Sequence, residues 1–173
     1  ASLVGSEMCI RDRLKEIHEQ PKVIKDTINS VLTDGNISFE SVGLSDEDMK
    51  NIQQVYIVAC GSAYHVGMVA QYVIEELTSL SVRVELASEF RYRQMKLAKN
   101  SLAIIISQSG ETADSLAALR LCKEKGVKTL GIVNVVGSSI AREADNVFYT
   151  LAGPEISLSL IHISEPTRLA LIS

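Results

Sequence analysis

The chain has 173 residues and a formal net charge of −4, with 46% hydrophobic and 22% charged residues, which is one domain's length and apolar enough to build a core. That balance excludes a disordered tail, and no apolar run approaches the roughly 20 residues a bilayer span needs. The acidic excess without a basic block excludes a nucleic-acid partner, while Cys9, Cys60 and Cys122, scattered without CxxC spacing or a secretory leader, exclude a disulfide framework and a zinc site and fit a reducing cytoplasm.

Both ends read as foreign to the domain. If Met8–Arg11 is encoded ATG TGT ATA AGA, with GA opening the Asp12 codon, the reverse complement TCT CTT ATA CAC AT spells the Ser-Leu-Ile-His of 159–162. SLIHISEPTR, 159–168, is then the antisense partner of LVGSEMCIRD, 3–12, and the pair resembles a translated transposase-type sequencing adapter. The expected division is 1–13 adapter-like, 14–53 an N-terminal helix and connector, 54–156 the domain core cut short at its C-terminus, and 157–173 adapter-like. Each end carries as many acidic as basic residues, so the charge argument survives their removal.

In chain order, QPKVIKDTINSVL places Pro21 where a first helical turn tolerates it, followed by Ile24, Ile28 and Val31 at amphipathic spacing. Residues 33–50 are polar and acidic with two glycines and read as a connector with one short helical turn. QVYIVAC, 54–60, is a β-branched apolar run ending at Gly61, the signature of a strand buried on both faces. A helix over 62–80 follows, then a strand at 82–87. Ser88 is placed to cap a helix over 89–98, and 102–107 supplies the third strand. A helix over 112–125 stops at Gly126. Strands at 128–134 and 146–151 flank a short helix at 138–144. Strand-helix alternation with continuous apolar strands predicts an α/β domain, an open doubly wound five-stranded parallel sheet with helices on both faces.

Ligands of such sheets sit beyond the carboxyl ends of the strands. Three exits carry small polar loops: Cys60-Gly61-Ser62-Ala63, Ser107-Gln108-Ser109-Gly110-Glu111-Thr112 and Asn134-Val135-Val136-Gly137-Ser138-Ser139. The first two run straight into helices, whose opening N–H groups favour an anion. Glycine admits close backbone approach and the hydroxyls add donors, so a phosphate monoester can be held without lysine or arginine. Single loops of this composition are more often plain caps and turns, and it is the match between two exits that points to a site. No GxxxxGK[ST] or GxGxxG is present, which removes the usual support for nucleotides. Cys60 lacks a partner base and reads as an inert thiol, His65 as a solvated or core imidazole, Glu111 as a carboxylate settled by the helix dipole, and Arg91 and Arg93 as a solvated helix face. No catalytic residue, metal site or cofactor is expected.

ACGSAYHVGM, ASEFRYR, SQSGETADSLAALR, NVVGSS and AGPEI stand in the order and spacing of one family. Across 14–156 the chain resembles the first sugar-isomerase (SIS) domain, flavodoxin-like in fold, of the isomerising glutamine–fructose-6-phosphate aminotransferases. The resemblance implies a five-stranded parallel sheet that binds fructose 6-phosphate, on the way to glucosamine 6-phosphate, through Gly61, Ser62, Ser107, Gln108, Ser109 and Thr112. Ala63 stands where the family has serine, one hydroxyl fewer. The resemblance also implies a cytoplasmic parent, a homodimer, whose glutaminase domain lies upstream and whose catalytic glutamate, lysine and partner-lent histidine lie downstream, so that the piece read here grips phosphosugar without turning it over. The rival reading is the sugar-phosphate-sensing SIS module of a regulator. It would want a basic helix-turn-helix upstream, and the helix at 14–32 has neither the turn nor the charge.

Overall fold

A computed structural model describes residues 2–93 and 96–153. Gln94, Met95, the end of AGPEI and the 157–173 segment lie outside the described residues. The chain divides into two compact units, 31–150 and a second made of 1–30 with 151–173.

In the second unit the described structure is α1, Ser2–Asn29. Pro21 lies inside this helix rather than in its first turn. The strong helix formers upstream, such as Leu14, Lys15, Glu16 and Glu19, carry the helix back through the proline despite the lost N–H. Exposed pairs Lys22–Asp26 at 2.8 Å and Lys15–Glu19 at 3.7 Å run along it.

The 31–150 unit opens on a hairpin, β1 (Leu32–Thr33) with β2 (Asn36–Ile37), turned by Asp34 and Gly35, both at positive φ. A 3-10 turn at Glu40–Val42 and α2 (Asp46–Asn51) follow. Ser45 and Asp48 close a capping box at the start of α2. The expected polar connector is thus an ordered cover. Val31, Val42 and Leu44 are buried and cluster with Leu102 and Leu130 on the sheet.

The sheet comprises β3 (Gln54–Ala59), β4 (Ser81–Leu86), β5 (Ser101–Ser107), β6 (Lys128–Val133) and β7 (Asn146–Tyr149). All four pairings are parallel and the order is β4-β3-β5-β6-β7, the doubly wound order that reverses between β3 and β5. On one face lies α3 (Ser62–Leu77), over Val55, Ile57 and Val82. A Cβ at Gly67 would stand 2.9 Å from Ile57 Cγ2, so the missing side chain is what lets α3 settle on the strands. On the other face lie α4 (Ala87–Phe90), α5 (Ala113–Glu124) and α6 (Ser139–Glu143), around Val58, Phe90, Ile105, Leu119 and Ile140. Each large side chain so buried contributes on the order of 1.5–3 kcal/mol.

The helix expected over 89–98 is a single turn, Ala87–Phe90, with Leu86 and not Ser88 at its N-cap. Leu97 packs against the central core cluster and draws the chain back over the sheet, which an extended helix would forbid. The last strand ends at Tyr149, before Leu151 turns to positive φ.

Candidate functional site

The reversal between β3 and β5 sets the ends of those strands side by side, with Ala59 in register with Ile106. Cys60 and Ser107 therefore begin two adjacent exits, and the crevice between diverging crossovers opens there. Gly61 turns the first exit at φ 57, ψ −134, a conformation that side-chain-bearing residues avoid. Ser62 begins α3 and is exposed, and no side chain caps that helix. At the second exit Thr112 is the N-cap of α5, yet its hydroxyl also makes no cap bond. Thr112 Oγ1 instead pairs with Ser107 Oγ at 3.0 Å. Two helix starts with partial positive charge and no capping side chain thus stand at one end of the sheet.

The hydroxyls of the second loop have divided work. Ser107 is buried, and its Oγ accepts from the N–H of Gly110 at 3.1 Å, closing the loop on itself. Ser109 is half-buried, and its Oγ accepts from the N–H of Glu111 at 3.2 Å. The Gln108 side chain is on an exposed residue while its carbonyl accepts from Asn134 N–H at 3.1 Å. All six expected ligand-holding residues, Gly61, Ser62, Ser107, Gln108, Ser109 and Thr112, fall on these two loops. Ser107 is turned inward to shape its loop, whereas Ser62, Gln108 and Ser109 are the more open of the set.

The third exit is fastened to the second. Ile140 N–H donates to the Gly110 carbonyl at 3.0 Å, and Ser139 N–H donates to Glu111 Oε1 at 2.7 Å. Hydrogen bonding from Ser139, by its side chain first and its N–H second, holds the Glu111 carboxyl below its ordinary value, with the Arg142 charge adding to the effect. Gly110 sits at φ 65, and a Cβ there would lie 2.0 Å from Ser138 Oγ. Ser138 Oγ is buried without a hydrogen-bond partner among the described residues. The composition of NVVGSS marked this loop, but its fastening to Glu111 is a tertiary contact with no local sequence signal.

The cations nearest in sequence are already engaged. Arg91 Nη1 donates to Asp114 Oδ1 at 2.7 Å, tying α4 to the first turn of α5, and Arg93 Nη1 donates to Glu85 Oε2 at 2.7 Å. Arg142 donates to the Gly137 carbonyl and to Ser139 Oγ. Cys60 is half-buried, and its Sγ accepts from Ser115 Oγ at 3.8 Å. Burial pushes the other described thiol, Cys122, up to about 12. His65 is exposed and meets Tyr64 edge-on at 5.7 Å between ring centroids. Among the described residues no group of three or more His, Cys, Asp or Glu could hold a metal, and no helix is long and apolar enough to cross a membrane. Among the described residues the arrangement offers donors and dipoles suited to an anion.

The SIS domain family model matches residues 48–172. The glutamine–fructose-6-phosphate aminotransferase [isomerizing] of Clostridium tetani is 55% identical over 147 residues, 84% of this chain and 24% of that protein. The enzyme of the same name from Mycolicibacterium paratuberculosis is 51% identical over 146 residues. A solved C-terminal domain of glucosamine-fructose-6-phosphate aminotransferase from Francisella tularensis superposes with a TM-score of 0.78 at 44% identity, covering 83% of this chain and 40% of that one. The chain spans about a quarter of the length of the curated relatives it matches. With its strand order, its paired exit loops and a family match over most of its length, the chain belongs to the SIS domain family.

Proposed function

We propose that this chain is the phosphosugar-gripping piece of the isomerase portion of an isomerising glutamine–fructose-6-phosphate aminotransferase, and that it binds fructose 6-phosphate or the glucosamine 6-phosphate made from it. The supporting observation is the pair of helix starts, α3 and α5, that meet at the switch point with no side-chain cap on either. The phosphate takes the first-turn N–H groups and the hydroxyls of Ser62, Ser109 and Thr112. Gly61 lets the backbone close in, Ser107 keeps the second loop in shape, and the Gln108 amide reaches the sugar. Hydrogen bonds of this kind to a charged group are worth about 1.5–3 kcal/mol each. Ala63 contributes no hydroxyl, so the first loop grips less firmly than its serine-bearing relatives would.

Ammonia release and the proton transfers of isomerisation belong to the rest of the parent, a cytoplasmic homodimer in this reading. Segments 1–13 and 157–173 are foreign ends. Genomic reads across codons 13 and 157 test that division, and coding sequence continuous with either segment would overturn it.

Titration of the isotope-labelled chain with fructose 6-phosphate tests the grip. Amide signals of 61–63 and 107–112 shift, unphosphorylated fructose leaves them in place, and glutamine has no effect. Shifts confined to the crevice lined by Lys123, Gly126, Lys128 and Asp145, at the other end of the sheet, would overturn the assignment.

A further inference from the structure

The bonds between the second and third exits decide which way the second loop's peptides face. The β5–β6 pairing, Ser107 with Val133, runs on for one further step as Asn134 N–H donates to the Gln108 carbonyl at 3.1 Å. Every described peptide is trans, and in a trans peptide the N–H points away from the preceding carbonyl. With the Gln108 carbonyl turned toward β6, the Ser109 N–H is turned toward β3, on the far side of β5. That is the side of the Cys60–Ala63 exit. Ile140 N–H holds the Gly110 carbonyl at 3.0 Å, which directs the Glu111 N–H away from α6, where Ser109 Oγ accepts it at 3.2 Å. The Ser109 N–H has no partner among the described residues. A flip of the 108–109 peptide would exchange that donor for a carbonyl oxygen and repel an anion in the crevice.

We propose that Glu111 and Ser139 are positioning residues for phosphosugar binding: their clasp holds loop 107–112 against loop 134–140 in the orientation that offers the Ser109 N–H to the crevice, and neither side chain touches the guest. Glu111 Oε1 accepts from Ser139 N–H at 2.7 Å, so its carboxylate is turned toward α6 and away from β3. Arg142 closes the same corner by donating to Ser139 Oγ and to the Gly137 carbonyl. The two backbone bonds set the peptide planes, and the clasp is the side-chain tie that keeps the loops together while a guest pulls on one of them. The role rests on the phosphosugar reading above and adds to it what orients the second loop.

Ser139 is the first residue of α6 after the cap Ser138, a position that tolerates proline, and Ser138 at φ −61, ψ 163 has the extended backbone that a residue before proline requires. Ser139→Pro therefore removes the N–H and the hydroxyl while the helix start is kept. Calorimetric titration of the full chain with fructose 6-phosphate tests the clasp. Ser139→Pro and Glu111→Ala each weaken binding by about fivefold. The double variant Ser139→Pro/Glu111→Ala stays within about twofold of either, because the same bond is lost once. Glu111→Gln, whose amide oxygen still accepts, recovers most of the affinity, and the Glu111 pair makes the comparison without touching α6. Val42→Ala, which loosens the cover on the sheet, binds as the wild type does, so lowered stability alone does not weaken the grip. Exchange of the Ser109 amide with solvent is slowed by fructose 6-phosphate in the wild type and slowed less in Ser139→Pro. A wild type that binds no phosphosugar overturns the clasp together with the phosphosugar reading. Binding that shifts the amides of 61–63 and 107–112 but is equally tight in Ser139→Pro and Glu111→Ala overturns the clasp alone. So does a loss that multiplies in the double variant, or a Glu111→Gln as weak as Glu111→Ala.

Discussion

The exits from β3 and β5 lie side by side, and they are built by opposite means. Cys60–Ala63 turns on one glycine whose surroundings are empty, with no atom within 4 Å of where a Gly61 Cβ would stand, and passes straight into α3. Ser107–Thr112 is tied internally by the Ser107 and Ser109 hydroxyls and externally to the next exit through Gly110, Glu111 and Gln108. One loop has a single side-chain tie, from Ser115 Oγ to Cys60 Sγ, the other a network in which each hydroxyl already has work. A site assembled from both has a preformed wall and a plain one, and loss of the preformed wall is felt in folding as well as in binding.

The two glycines separate these designs most sharply. Gly110→Ala forces a Cβ to within 2.0 Å of Ser138 Oγ and 2.5 Å of Ser138 Cβ at positive φ, and costs about 2–4 kcal/mol as overpacking and backbone strain together. Gly61→Ala meets no atoms and costs only strain, about 1–3 kcal/mol. Urea unfolding of both variants measures the difference, and equal losses would break the comparison. Next, Ser107→Ala leaves the buried Gly110 N–H without its acceptor and lowers stability by about 1–3 kcal/mol in the same assay.

Ser109→Ala sharpens the contrast from the ligand's side. Its bond to the exposed Glu111 N–H is replaced by water, so stability barely moves, while calorimetry records phosphosugar binding weaker by about 1–3 kcal/mol. An unchanged affinity would remove Ser109 from the site. The smallest effect is the acid dependence of the Glu111 link. Its carboxyl is held below the ordinary value by Ser139, so the contribution is complete above the usual carboxylate range and is lost as pH falls through the lowered folded value. Glu111→Gln removes that acid-side slope, and melting temperatures of the two proteins that run parallel from neutral to acid pH would show the link to be idle.

The sheet and both exits were legible because their signals are local: continuous β-branched runs, glycines at the turns, and hydroxyls ahead of amphipathic helices. What escaped is tertiary. EFRYR reads as the start of a helix, yet Arg91 and Arg93 are drawn to Asp114 and Glu85 and Leu97 returns to the core, so the helix stops after one turn. The connector's polarity hid Val42 and Leu44, two isolated apolar residues with no period to give them away. Asp34-Gly35 was a readable hairpin signal that the acidic setting masked. The bond from Ser139 to Glu111 joins residues 28 apart in sequence and could not be found by spacing.

Because Arg91, Arg93 and Arg142, the described arginines beside the exits, are already engaged, a dianion bound there as proposed would be drawn by oriented peptides at short range, not by a distant field. Added salt screens long-range attraction within about 8–10 Å and leaves such close dipolar contacts nearly untouched. Capture by this end of the sheet should therefore proceed at a rate almost indifferent to ionic strength, with no steering of the guest toward its seat.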